Sequence, residues 1–208
     1  MTWEKNRANG GQITLNSHNL YYLLLFTITE SYSFFMAVNQ TLWQYFPKSV
    51  TCPKNLVDIV KVFENSSNKI ISRENVGQVS NDVLAHVRKN LEALGFLVES
   101  GKTSENKIRI PVLYGPNGKP EKSFDADAYH PDQKIVLEVE AGRAVTNYQF
   151  LKDLFQACVM QDVDYAVIAV RQDYRGSDDY GKVISFIDTL YASTKLQLPL
   201  KGLLIIGY

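Results

Sequence analysis

Three features of this sequence predict a three-layer α/β/α fold built on one mixed sheet. Two apolar runs late in the chain, Tyr165-Ala166-Val167-Ile168-Ala169-Val170 and Gly202-Leu203-Leu204-Ile205-Ile206-Gly207, have the unbroken apolar character of strands buried on both faces. Helical periodicity fills the gaps before and between them, so right-handed crossovers and parallel pairing are the expected connections. Upstream, Ser123 to Glu140 alternates charged and apolar residues on either side of His130-Pro131-Asp132-Gln133, the pattern of an antiparallel hairpin.

In chain order, the first 50 residues are poor in Lys and Arg, rich in Tyr, Phe and Leu, and end at the breaker Phe46-Pro47-Lys48. They read as an aromatic-rich, helical N-terminal extension (1–50), with the main domain at 51–208. Leu20 to Phe46 carries one charge, Glu30, and is long enough to cross a bilayer. Thr27, Thr29, Ser31, Ser33, Asn39, Gln40, Thr41 and Gln44 interrupt it, so a buried helical or interface element fits better than a membrane span. Trp43, Tyr45, Phe34 and Phe35 suit either a dimer contact or core packing.

After Pro53, Leu56, Ile59, Val60 and Phe63 recur at helical spacing over Asn55 to Glu64, and the polar Asn65-Ser66-Ser67-Asn68 stops that helix. A second helix starts at the caps Ser80 or Asn81, presents Val83, Leu84, Val87, Leu91 and Leu94 on one stripe, and closes at Gly95. Strands are expected at Phe96 to Glu99 and Ile108 to Tyr114. With the two acidic strands they form a meander of adjacent strands. Tyr148 to Met160 is a helix with Gln149, Lys152 and Gln156 as its polar stripe, and Tyr180 to Tyr191 is the last helix.

The apolar content of 45% is ample for a core, and 22 basic residues balance 22 acidic ones, so net charge announces no partner. Charge is uneven locally: Gly101 to Lys122 holds Lys102, Lys107, Arg109, Lys119 and Lys122 against Glu105 and Glu121. The two cysteines, Cys52 and Cys158, have neither metal spacing nor a disulfide partner pattern, which fits a reducing cytoplasm. The first residues lead into Asn9-Gly10-Gly11 and not into an apolar run, so no secretory signal is expected. His18, His86 and His130 are scattered, which excludes a zinc enzyme. The sequence lacks a Gly-rich phosphate loop and a Gly-x-Ser-x-Gly elbow, so neither a nucleotide cofactor nor serine hydrolase chemistry is expected.

The chemistry therefore falls to the acidic hairpin. Period-two alternation puts Asp125 and Asp127 on one strand face and Glu138 and Glu140 on one face of the next, and a turn near Asp132 sets Asp127 opposite Glu138. Facing carboxylates repel. A cation relieves that repulsion, and a small set of hard oxygen donors suits Mg²⁺ or Mn²⁺. Asp127 and Glu138 are the expected ligands, with Asp125 competing for the first position if the hairpin shifts by one pair. Glu140 is placed for a second ion or for general-base work. The bland alternative is a solvated strand face, but helices on both sides of the sheet argue that a charged row there is paired or ligated.

Over roughly residues 78 to 208, this topology and hairpin resemble the PD-(D/E)xK phosphodiesterase superfamily, the fold of many type II restriction endonucleases. The family's Asp and its acid-x-Lys correspond to Asp127 (or Asp125) and to Glu138-Val139-Glu140, where the Lys is missing. Acid-x-acid endings occur in the BamHI and BglII type of restriction enzyme. The resemblance implies a restriction endonuclease-like fold, divalent-metal-dependent hydrolysis of DNA and a symmetric homodimer. It also implies that Lys152 supplies the displaced Lys from the following helix, with Gln156 beside it, and that Glu92 is an extra acidic ligand from the earlier helix. An exposed Glu and a solvated Lys are the plain readings of those two. Lys107, Arg109, Lys119, Lys122 and Arg143 would meet the phosphate backbone. The rival function is a nuclease-fold protein that binds nucleic acid or a partner protein without cutting.

Overall fold

The computed structural model describes residues 40–208 except Val76 and Lys102, and these belong to one compact unit, Asn39–Tyr208. The features read at Leu20 to Val38, including Phe34 and Phe35, lie outside the described residues, as do His18 and Lys102. In chain order the elements are β1 (Leu42–Phe46), α1 (Lys54–Ile70), α2 (Ser80–Ala93), β2 (Leu97–Val98), β3 (Ile108–Tyr114), β4 (Pro120–Ala126), β5 (Ala128–His130) and β6 (Ile135–Glu140). Then come α3 (Gln149–Val159), β7 (Tyr165–Val170), the short β8 (Asp173–Tyr174) and β9 (Ser177–Asp178), α4 (Asp179–Ser193) and β10 (Gly202–Gly207).

Six strands form one mixed sheet in the order β1-β10-β7-β6-β5-β2. The two apolar runs do pair in parallel: β7 lies between β10 and β6, parallel to both. Their alternate residues feed two separate cores. Leu137, Val139, Val167, Ala169, Leu204 and Ile206 pack with the α1 and α2 residues Leu56, Ile59, Phe63, Val83, Val87 and Leu91. Val136, Ala166, Ile168, Leu203 and Ile205 pack on the opposite face with Phe150, Leu154 and Ala157 of α3 and Val183 and Ile187 of α4. The three α/β/α layers follow from this alternation. By the same alternation, Glu138 and Glu140 lie on the face that carries α3.

Three expectations change. Leu42–Phe46, read as part of a helical extension, is a strand that pairs antiparallel with β10, with Tyr45 and Phe46 buried, so the main sheet reaches back past residue 50. Of the aromatics read as suiting either a dimer contact or core packing, Tyr45 is core and Trp43 is exposed. Helix α1 runs through Asn65-Ser66-Ser67-Asn68 to Ile70. Those four polar residues cost about 0.5 kcal/mol each in helix propensity, but burying Ile70 returns about 1.5–3 kcal/mol.

The meander is also not continuous. β3 pairs only with β4 in a two-stranded ribbon, while β2 pairs with β5. The first acidic strand thus divides at Asp127: Pro120–Ala126 serves the ribbon and Ala128–His130 serves the central sheet. Helix α2 does close at Gly95, whose φ of +99° favours glycine and whose missing side chain leaves room for His130. A Cβ there would stand 2.9 Å from His130 Nε2, which bonds the Leu94 carbonyl at 3.0 Å. No helix among the described residues is long and apolar enough to cross a membrane.

Candidate active site

Hairpin register decides which acids meet. β5 and β6 pair with Ala128 opposite Leu137, so the register continues to Asp127 opposite Glu138, as alternation requires. Where Asp127 leaves the sheet, its carboxylate caps the β6 backbone, accepting the Val139 N–H at 2.7 Å, while its own carbonyl accepts the Glu99 N–H at 2.8 Å. Two strands are thereby tied to one acid. Asp125 is not brought to this point. It sits on the ribbon opposite Arg109, half-exposed, with Arg109 at 3.7 Å and Lys107 at 3.8 Å from its carboxylate.

Glu138 is 9% exposed and its Oε1 has no hydrogen-bond partner. Burial raises its pKa well above the usual carboxylate value, and the charges of Asp127 and Asp153 add to the rise. Lys152 and the Asp127 N–H oppose it. Burial also lifts Asp127 to about 6. The Val139 N–H works against that rise, the charges of Glu99 and Asp153 reinforce it, and Lys107 counters. Glu140, half-buried at the end of β6, is pushed up to about 8 by burial, by the charge of Asp153 and by a hydrogen bond with the Asp153 side chain. Two carboxyl groups can share a hydrogen bond only if one holds a proton, which is what the raised value of Glu140 supplies.

Asp153 was not singled out in the sequence. It is 3% exposed on α3, its Oδ2 has no partner, and its Oδ1 lies 3.1 Å from Lys152 Nζ. Its signal was available: Phe150, Leu154 and Ala157 define the buried stripe of α3, and Asp153 falls on that stripe at helical spacing. Glu99, 6% exposed and paired with Lys107 at 3.0 Å, is a second acid that sequence reasoning missed. It acts on Asp127 from the other side.

Lys152 does approach the acids. Burial lowers its pKa, but the pull of Asp153, then Glu140 and Glu138, outweighs this and holds the ammonium above its ordinary value. More than half of its side chain is exposed, so the charge faces both the acids and solvent. Gln156 is half-buried on the same helix, and no hydrogen bond joins it to the acids. Glu92 is exposed on α2 and is not among the charges acting on Asp127 or Glu138. Lys119 and Lys122 stand exposed on the ribbon, with Lys122 over the Phe124 ring. Arg143 is exposed beyond β6 and lines a cleft of about 570 Å³ that begins at Glu140.

The structure therefore assembles Asp127, Glu138, Glu140, Asp153 and Lys152, with Glu99 and Lys107 adjacent. Among the described residues no three His, Cys, Asp or Glu side chains converge tightly enough to enclose a metal ion. The Asp127 carboxylate already accepts the Val139 N–H. No family model, curated protein or solved structure matches this chain.

Proposed function

We propose that this protein is a divalent-metal-dependent endonuclease that hydrolyses DNA phosphodiester bonds, with Asp127, Glu138 and Asp153 as the acids that hold Mg²⁺ or Mn²⁺. The observation that carries the reading is the pair of buried carboxylate oxygens, Glu138 Oε1 and Asp153 Oδ2, left without partners inside a group of mutually repelling acids. Buried carboxylate oxygens without a partner are costly, one lysine does not balance this many acids, and a cation supplies what the protein does not. The donor set is all oxygen, which fits a hard ion, whereas no His or Cys is present to select zinc.

When bound, such an ion polarises the phosphoryl oxygen and lowers the pKa of water. The remaining work falls to the protein. Glu140, at the end of β6 beside these acids, would take a proton from the attacking water once the cation's charge favours its ionised form. Lys152 brings a positive charge to the rim, where it meets the scissile phosphate and replaces the Lys missing from Glu138-Val139-Glu140. The symmetric dimer and the cytoplasmic setting belong to the same proposal.

One observation favours the rival, a non-cutting binder: among the described residues no three acids converge on one point. Cleavage decides between them. Incubation of supercoiled and linear DNA with Mg²⁺ or Mn²⁺ is expected to give nicked or cut products, and Asp127→Ala and Glu138→Ala are expected to abolish them in folded protein. Equal products from parent and variants, or none with any divalent ion, would overturn the catalytic reading.

A further inference from the structure

Beside Glu140 the carboxyl ends of the parallel strands β6 and β7 open into the cleft of about 570 Å³. Clefts in this position, outside the carboxyl ends of parallel strands, are the usual ligand sites of open α/β sheets. Three arginines line this one: Arg143 after β6, Arg171 immediately after β7, and Arg175 in the β8–β9 turn. Arg171 is 3% exposed. One of its terminal nitrogens donates to the Gln78 carbonyl at 2.5 Å, its Nε has no partner, and the Tyr174 ring lies 5.8 Å from its guanidinium carbon. Arg175 approaches the same ring at 5.3 Å.

Among the described residues none of these three arginines forms an ion pair. Neither of the two acids that line the cleft pairs with an arginine, and Asp173 accepts the Gly176 N–H at 3.0 Å. A buried guanidinium without a counter-charge is costly unless an anion completes it. The wall opposite is the N-terminus of the 14-residue α2, anchored where Ser80 Oγ accepts the Ala141 N–H at 3.1 Å.

We propose that this cleft holds a phosphate group of the nucleic-acid strand that flanks the scissile bond, gripped by Arg171 from below and by Arg143 and Arg175 at the mouth. The identity of the phosphate's carrier rests on the endonuclease reading; the anion site rests on the arginines. Planar guanidiniums match phosphate oxygens in pairs, and Glu140 lies at the cleft's edge, so a strand reaching the acids passes the arginines.

The test is binding of a fluorescein-labelled oligonucleotide by the full chain in EDTA, where cleavage plays no part. Arg143→Gln combined with Arg175→Gln removes two exposed charges without altering backbone demands, and is expected to weaken binding at least tenfold. The slope of log K against log salt should fall by about 1. Lys54→Gln with Lys61→Gln on α1 removes equal charge elsewhere and should change affinity less than threefold. Arg171→Met, checked for an intact melting transition, should weaken binding as much as the double variant. Inorganic phosphate and thymidine 5′-monophosphate serve as competitors.

Equal weakening by the α1 pair, or unaltered binding in both arginine variants, overturns the proposal. Phosphate binding that depends on the arginines while oligonucleotide binding does not would refute the strand assignment. If Mg²⁺ or Mn²⁺ never gives cleavage yet the arginine dependence holds, the anion site stands and the catalytic reading alone fails.

Discussion

Replacing Glu140 with Gln isolates the electrostatic cost of the acid group. In the folded chain Glu140 holds its proton to about pH 8, against an ordinary value of 4.5. The unfolded chain loses that proton first, so the folded form is most favoured below pH 4.5 and loses stability as pH rises towards 8. At about 1.4 kcal/mol for each tenfold change in proton affinity, this rise corresponds to about 5 kcal/mol. Glu140 is half-buried, and solvent screening reduces the figure to about 2 kcal/mol. Glutamine keeps the shape and has no proton to lose.

In EDTA, the parent should therefore lose about 2 kcal/mol more than Glu140→Gln between pH 5 and pH 8.5, measured by urea unfolding at each pH. For a fold of this size that is roughly 4–8 °C in melting temperature. Asp127 and Glu138 titrate in both proteins, and Glu140 interacts with Asp127, so the difference reads Glu140 together with its coupling to the neighbouring acids. Parallel pH curves for parent and variant would refute the claim that burial and Asp153 hold a proton on Glu140.

Two other substitutions test the surroundings of the acids. Lys152→Ala should lower the cleavage rate about 100-fold with little change in KM, and Lys152→Arg should recover part of it, because the charge acts on the reacting phosphate more than on binding; unaltered kcat in Lys152→Ala would remove Lys152 from the mechanism. Gly142→Ala should destabilise the fold by about 1–3 kcal/mol, since Gly142 has φ of +155° and a Cβ would stand 2.7 Å from the Tyr174 ring. A melting temperature within 1 °C of the parent would show that this contact yields freely.

What the sequence made legible was what alternation controls. The pairing of Asp127 with Glu138, the parallel core strands and the stripes of α2 and α3 all follow from periods of 2 and 3.6, and the structure carries each of them. Long-range packing hid the rest. Leu42–Phe46 closes a long, nearly uncharged stretch that reads as helical, and the edge of β10 turns it into a strand. Asp125 was expected beside Asp127, but the chain changes partner at Asp127, and the ribbon carries Asp125 off to Lys107 and Arg109. Asp153 was overlooked because α3 reads as an apolar helix with a polar stripe, and a single acid on its buried side is visible only once that stripe is assigned. Arg171 follows a core strand directly, a position whose meaning depends on knowing that β7 is parallel to its neighbours.

The central claim is that these acids bind a divalent cation, and Mn²⁺ titration followed by electron paramagnetic resonance tests it without any substrate. Free Mn²⁺ gives a sharp six-line spectrum that broadens on binding, so the loss of signal counts bound ions. The parent should take up at least one Mn²⁺ per chain, Mg²⁺ should displace it, and both Glu138→Gln and Asp153→Asn should weaken uptake at least tenfold while keeping the parent's circular dichroism. Uptake indistinguishable between the parent and both variants, or no uptake by the parent at millimolar Mn²⁺, would contradict the account.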